Sequence, residues 1–510
     1  MYKESFLFIL VTLLLFSFNT SLADDVVSEN DSIENIEDDK ANESGSDSNT
    51  DNSANTDNED NDNKNDNEGD KNNNDSNNNE STDDENDSKT DGQIAGGVDP
   101  DAPTRLVKTI SMQNFGGYVI RYGNFNRDDK VDILAVQNNF RTITCLTAFT
   151  FDGEILWQVG TPDENNYNIF SDRPVQVFDW NGDGIDDVIV VMNKRLKIIN
   201  GENGKTIKSR KVVENDAVYV GSFWDGKKKI LIKDRYSKFR VFNQKLRQIF
   251  FDRNNTGHFP MAFDFNRDGI DELIIGYSLY KNGKEGIVKK WDLTGKLKLH
   301  NDATDIADMK GNGTYQIGIA DSSGGALVTP EGKILWQKKL KHSQHAVMGH
   351  FDPAFPKEQQ IVFLDRGAAG VLYCYNRKGK LLWKSEPHGR VAVLAAVDGW
   401  SGNKNESFLL VSRRQMANPV LLNGKGKIVA EFPIDPSSLY DKNEPPKNRM
   451  KNFAQHFDMY GDGREEILIN DHSKIYVYTN NEVRTNSKVS TFEGLPNARI
   501  YNATFYTGMQ

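Results

Sequence analysis

The sequence predicts an all-β fold: a β-propeller of four-stranded blades, eight by count, or seven if one eroded copy is only a long loop. Three observations predict it. One phrase recurs, an apolar strand, an Asp/Asn/Gly loop and a second apolar strand. Its copies are spaced mostly about 42–48 residues apart. No stretch carries a convincing long amphipathic helical pattern.

The clearest copies run from Val175, Met261 and Phe453 (VQVFDWNGDGIDDVIVV, MAFDFNRDGIDELIIG, FAQHFDMYGDGREEILIND). Looser copies start at Ile120, Tyr219 and Asp305, and the most eroded at Val347 and Leu394. Their loops begin near Asn124, Asp179, Ser222, Asp264, Asp308, His350, Asp398 and Asp458. After the second strand comes a third, as in LKIIN or GVLYCYN. A Gly turn then leads to a fourth, which carries Trp157, Trp336 or Trp383 in GEILWQ, GKILWQ and GKLLWK. The last copy has three strands, ending at Tyr478. Its fourth must come from RIYNATFY near the C-terminus or RLVKTI near Arg105, either of which closes the ring and removes open edges. Cys145 and Cys374 fall in third strands of the first and sixth blades. They are expected far apart, as free, small buried hydrophobes, and two cysteines exclude a disulfide-stapled scaffold.

Two segments precede the repeat. Residues 1–23 read as an export signal: Lys3, an apolar run from Phe6 to Phe16, and small residues at Ser21-Leu22-Ala23. The run is short for a membrane anchor, and no Cys follows it for lipid attachment, so the expectation is a secreted, extracellular or periplasmic protein. Residues 24–95 are an Asp/Asn-rich tail, expected to be a disordered spacer, with calcium buffering or surface display as alternatives. The chain carries 74 acids and 62 bases, net -12. Residues 24–91 hold 25 of the acids and only 4 bases, so residues 92–510 hold 57 bases against 48 acids. The predicted propeller, 96–510, is basic although the chain as a whole is acidic.

The repeated loops have the pattern of calcium sites. Asp179, Asn181 and Asp183 offer oxygens at alternate positions, Gly184 permits the turn, and Asp187 closes the shell. Asp264, Asn266, Asp268 and Glu272 repeat the set. Asp458, Asp462 and Glu466 do so with Tyr460 at the second place, and Asn124, Asn126, Asp128 and Asp132 form a weaker fourth. The plain alternative is that Asx residues only build tight turns. In either case these sites are structural.

The loops resemble the FG-GAP/VCBS calcium-loop repeats of integrin-α-type propellers. The full unit resembles bacterial secreted propellers related to rhamnogalacturonan lyases and other propeller polysaccharide lyases. The residues that carry this second likeness are Lys233–Tyr236, Asn254–Pro260, IIGY ending at Tyr277, Ser343–Phe351 and Ile475–Asn481. That resemblance implies structural Ca²⁺ and an acidic polysaccharide as partner.

The face opposite the loops collects reactive side chains. Six residues before each loop stand Tyr118, Arg173, Asp216, His258 and Asp302, then His345 five before, with Arg390 and Lys451 near the equivalent places. Turns after the second strands add Lys233, Arg235, Tyr236, Tyr277, Arg366, Arg413, Arg414 and His472. A basic, aromatic-lined mouth suits an acidic polymer. An export signal and the lack of a nucleic-acid-binding motif argue against nucleic acid. For β-elimination on a uronate, His258 is the expected base, with His345 as substitute. Arg235 and Lys233 would neutralise the carboxylate, and Tyr236 or Tyr277 would serve as acid. Arg173, Asp302, Arg366, Arg390 and Arg413 would bind substrate. The alternatives are a non-catalytic binding or adhesion propeller and, last, a quinone-dependent dehydrogenase suggested by the GKxLW strands. The chain is expected to be monomeric and not to stay inserted in a membrane after signal removal.

Overall fold

The computed structural model describes residues 104–480, apart from 129, 140–141, 168–173, 215, 390, 402–405, 414–417, 436–451 and 460–463. The predicted signal and tail, RIYNATFY, and Arg173, Arg390, Lys451, Tyr460 and Asp462 lie outside the described residues. So does Arg414, together with the side chain of Arg413.

Among the described residues, thirty-two strands form eight separate four-stranded antiparallel sheets. Blade 1 is β2(Val119–Gly123), β3(Asp132–Asn139), β4(Thr142–Thr150) and β5(Ile155–Gly160). The next blades follow in chain order, four strands each, to blade 7, which ends at β29(Ile428–Glu431). Blade 8 is β30(Phe453–Phe457), β31(Glu466–Asn470) and β32(Lys474–Asn480), with β1(Thr104–Ser111) added from the other end of the described chain. Arg105 stands opposite Thr479 and Ile110 opposite Ile475, so RLVKTI closes the ring. Among the described residues, no helix is long and apolar enough to cross a membrane.

First strands of neighbouring blades touch one another, which puts them innermost. Second strands are buried along most or all of their length, wholly so in β7(Asp187–Met192) and β23(Gln360–Asp365), because a neighbouring blade covers each face. Outer strands meet water on one side and alternate, as β21(Ile334–Lys339) does. The apolar clusters run between blades. One joins Ile120, Tyr122 and Phe149 of blade 1 to Phe457, Leu468 and Val477 of blade 8, sealing the closure.

A latch repeats on the rim. The fourth-strand tryptophan packs against the glycine of the next blade's strand 3–4 turn: Trp157 on Gly204, Trp291 on Gly332, Trp336 on Gly379 and Trp383 on Gly426. Three indole N–H groups also donate to carbonyls of that blade, at Gly201, Pro330 and Arg377. These glycines have φ between 70° and 83°, and a Cβ would meet the indole at 2.7–3.0 Å. Both conditions demand glycine. Cys145 and Cys374 are buried and free, in β4 and β24(Val371–Tyr375).

Candidate functional site

The loop joining first and second strands has a divided acidic pair. In Asp186-Asp187, Asp271-Glu272 and Glu465-Glu466 the first acid reaches the preceding blade. It accepts from Asn124 N at 2.9 Å, Ser222 N at 2.7 Å and Asp398 N at 2.9 Å respectively. The second acid turns to its own blade. Glu272 accepts from Phe265 N at 2.9 Å and Glu466 from Met459 N at 2.8 Å. In blade 1, Asp132 accepts from Phe125 N at 2.8 Å, and burial pushes its carboxyl up to about 7.

Within the loops, Asp179 accepts from Gly182 N, Asp183 N and Gly184 N, and Asp264 from Asp268 N and Gly269 N. Asn181, Asn266 and Asn126 each accept from the N–H two residues on. Asp183, Asp268 and Asp128 do the same. Asp458 precedes the blade 8 loop, most of which lies outside the described residues. The fit to a cation differs between blades. In blade 2, Asp187 Oδ1 accepts from Gly201 N, while Oδ2 is buried with no hydrogen bond. Burial first, then the nearby Asp183 and Asp179 carboxylates, push Asp187 up to about 6. A cation fits there. In blade 4 both Glu272 oxygens are taken, by Phe265 N and Asn266 Nδ2, so that loop is satisfied by its own donors.

At the other end of the inner strands, four consecutive blades send side chains to one place. Asp302, at the start of β18(Asn301–Ala307), is its centre and is 1% exposed. Three imidazole Nε2 atoms surround its Oδ1: His300 at 3.3 Å, His258 at 3.7 Å and His342 at 3.8 Å. Gln344 Nε2 donates to the same oxygen at 2.8 Å, and Ser322 Oγ donates to Oδ2 at 2.8 Å. Burial opposes the charge of Asp302. The close approach of His300 and His342, with the charges of His300 and His258, nevertheless holds the carboxyl well below the usual range.

Local structure fixes each histidine. His258 ends the Asn254–Gly257 segment, which lies against the Gly276 turn so closely that a Cβ on Gly276 would meet Asn255 O at 1.7 Å. Its N–H donates to Asn301 O at 2.9 Å. Asp365 accepts from Lys341 N and His342 N and so shapes the turn that carries His342. Ser322 Oγ stands 3.2 Å from His300 Nδ1.

Blade 3 contributes Tyr236 from the turn between β11(Lys229–Lys233) and β12(Lys238–Phe242). Its hydroxyl lies 3.1 Å from His258 Nε2, and its ring is 4.7 Å from that of His300, centroid to centroid. Its backbone is left-handed, φ 77°, and is pinned by Tyr236 N donating to Thr256 Oγ1. A tyrosine there is strained, as residues at working sites often are. Arg235 packs on the same ring, 5.2 Å from its centroid. His258 is held neutral, well below the ordinary imidazole value, by burial first and then by the Arg235 charge.

Of the residues singled out in the sequence, the fold brings together His258, Tyr236, Arg235 and Asp302. Arg366 joins them at one remove, its Nη1 donating to Gln344 Oε1 at 3.2 Å. Others have different surroundings. Lys233 is fully buried and ion-paired with Asp216. Tyr277 is buried and donates to Lys298 O at 2.8 Å, with burial pushing its hydroxyl far up. His345 is buried within β22(Ser343–Gly349), opposite Leu364. His300 and His342 were missed. The places five and six residues before the loops hold His345 and Asp302, and His342 and His300 stand three and two residues earlier still. The signal was present: His258, His300 and His342 are each 42 residues apart.

No protein-family profile matches the chain, and no characterised protein matches it by sequence. Solved structures do resemble it in fold. The V. cholerae biofilm matrix protein Bap1 is 12% identical with a TM-score of 0.55, the match covering 80% of this chain and all of that one. BamB from Moraxella catarrhalis is 11% identical with a TM-score of 0.50, covering 76% of this chain and all of that one. The chain is an eight-bladed propeller. At these identities the likeness is one of architecture.

Proposed function

We propose that this propeller acts on an acidic polysaccharide at the Tyr236 mouth, as a lyase that cleaves a uronate chain by β-elimination. One observation carries the reading: a strained, half-buried tyrosine flanked by Arg235 and bonded to a neutral imidazole. The excess of bases in residues 92–510 supports an anionic partner. Arg235 would neutralise the substrate carboxylate and so stabilise the enolate-like transition state. Tyr236, its own hydroxyl proton first passed to His258 Nε2 at 3.1 Å, would take the proton from the carbon next to the carboxylate. That electron pair forms the new carbon–carbon double bond as the bond to the glycosidic oxygen breaks, and Tyr236 hands the abstracted proton to the leaving oxygen while His258 returns the phenolic one. His258 is only 4% exposed, so it serves as a positioning residue beneath Tyr236 rather than as the base that meets substrate. Lys233, Tyr277 and His345 support the scaffold in this scheme. The same reading has the chain exported, monomeric and braced by Ca²⁺ at the Asp187 loop.

The test is incubation of the full chain with pectic and other uronate polymers, following the absorbance of unsaturated products. Product formation, falling at least about 10²-fold in Tyr236→Phe, is the expected result. Retention on a polymer with no product across a broad panel would replace the lyase with a binding propeller.

A further inference from the structure

We propose that His258, His300 and Asp302, with His342 as fourth donor, form a binding site for a divalent transition-metal ion of the zinc class. The inference deepens the lyase reading, since it places a cofactor at the same mouth. Among the described residues, His258, His300 and Asp302 are the one group of three or more His, Cys, Asp or Glu side chains whose ligand atoms lie within 4.8 Å of one another; His342 stands outside that group, its Nε2 3.8 Å from Asp302 Oδ1. Zinc donors at about 2.0–2.2 Å from a tetrahedral ion stand roughly 3.3–3.6 Å apart. The Nε2–Oδ1 separations of 3.3, 3.7 and 3.8 Å lie at or within a few tenths of an ångström of that spacing.

The donor chemistry selects the ion. Three imidazoles and one carboxylate suit zinc or a similar borderline ion, whereas Ca²⁺ needs six to eight oxygens. The surroundings have the character of an outer shell that orients ligands. Ser322 Oγ holds Asp302 Oδ2 at 2.8 Å and lies 3.2 Å from both ring nitrogens of His300, so metal at Nε2 would leave it the Nδ1 side. Gln344 occupies one lone pair of Asp302 Oδ1 and leaves the other for an ion. The Nε2 of His342 is buried and makes no hydrogen bond.

Recurrence argues the same way. Three successive blades place a histidine ahead of the inner strand, before β14(Met261–Phe263), β18 and β22, at an unvarying step of 42 residues. A bound ion would take the His258 Nε2 lone pair now 3.1 Å from Tyr236 Oη, leaving that hydroxyl beside the metal. There it would add to Arg235 a second positive charge for the substrate carboxylate.

The experiment uses the full chain, stripped with chelator and dialysed against zinc chloride with calcium chloride in excess, so that the Asp/Asn loops are saturated. Bound zinc is counted by mass spectrometry, and cobalt chloride gives an independent readout through visible absorption. About one zinc per chain is expected. Affinity should fall at least about 100-fold in His300→Ala and about tenfold in His342→Ala, while His350→Ala, outside the cluster, binds as before. Zinc should raise the melting temperature of the native chain and not of His300→Ala. If His300→Ala does not fold, His300→Gln and His342→Ala carry the test. Wild-type protein that keeps no zinc, or His300 and His342 variants that bind as wild type does, would overturn the site. The binding assay contains no polymer, so its outcome is separate from the lyase question. Zinc bound without cleavage retains the metal site and removes the lyase. Cleavage at full rate by protein that binds no zinc keeps the lyase and removes the metal site.

Discussion

The two ends of the inner strands are built on different plans. At one end, the loops of blades 1, 2 and 4 share one pattern, an Asx turn followed by a carboxylate that returns to its own blade, and blade 8 repeats the returning carboxylate. At the other end the contributions are local to four blades, and among them only the histidine recurs. Blade 3 supplies Tyr236, blade 4 His258, blade 5 His300 and Asp302, and blade 6 His342. Repetition marks what every blade needs, which is a closed turn and a tie to its neighbour. Convergence marks what one place on the disc does. A repeat protein is uniform where every blade needs the same turn, and its chemistry lies where side chains of a few adjacent blades converge.

That comparison can be broken most sharply by a double dissociation. Tyr236→Phe should cost at least about 10²-fold in turnover of a uronate polymer with melting unchanged, while Asp179→Ala should lower melting and leave turnover intact. Kinetics and calorimetry on the two variants decide it, and the opposite pattern would abolish the division between the faces.

The rim provides a control that belongs to neither face. Gly379→Ala forces a Cβ to 3.0 Å from Trp336 at φ 76°. Left-handed strain and overpacking together should destabilise by about 2–4 kcal/mol, read from denaturant unfolding, with zinc and polymer behaviour unchanged. A neutral effect would mean that the indole latch is loose.

The loop face is sharpened by calcium. Raising Ca²⁺ from chelator-buffered traces to about a hundredfold over Kd should add about 2.7 kcal/mol per occupied site. Asp187→Asn should remove most of that gain, because its Oδ2 is the buried oxygen without a hydrogen bond. Glu272→Gln should remove less, since both Glu272 oxygens already have donors.

The smallest effect lies between the faces. Asp305, in the middle of β18, is fully buried and accepts from Met348 N and Ile306 N. Burial holds its carboxyl well above the ordinary range, and those two bonds only partly offset this. The folded chain therefore keeps the proton to higher pH than the unfolded chain, so ionisation costs stability. From about pH 4 upward, through the folded value, that cost grows. Asp305→Asn should gain in melting temperature relative to wild type as pH is raised to about 8. A flat difference would show that the carboxylate is adequately solvated.

Periodicity made the architecture legible. The loop starts, the third strands and the Gly-Trp fourth strands all fell where the sequence placed them, and Arg105 lies in the strand that closes the ring. The carboxylates that close the loops, Asp187, Glu272 and Glu466, were legible, and the acid before each was not singled out. Which acid crosses to the preceding blade was not legible, because both are adjacent in sequence and only the pleat sends them apart. Lys233 and Tyr277 read as reactive because their residue types are. Burial beside Asp216 and against Lys298 O gives them other work.

Composition and repeat length by themselves determined an all-β disc with apolar second strands and polar turns, since each blade must bury both faces against its neighbours. The tertiary structure alone decided that three histidines 42 residues apart meet one carboxylate. Their distance in the chain is fixed by the repeat, but their distance in space depends on how blades 4 to 6 pack side by side around the ring.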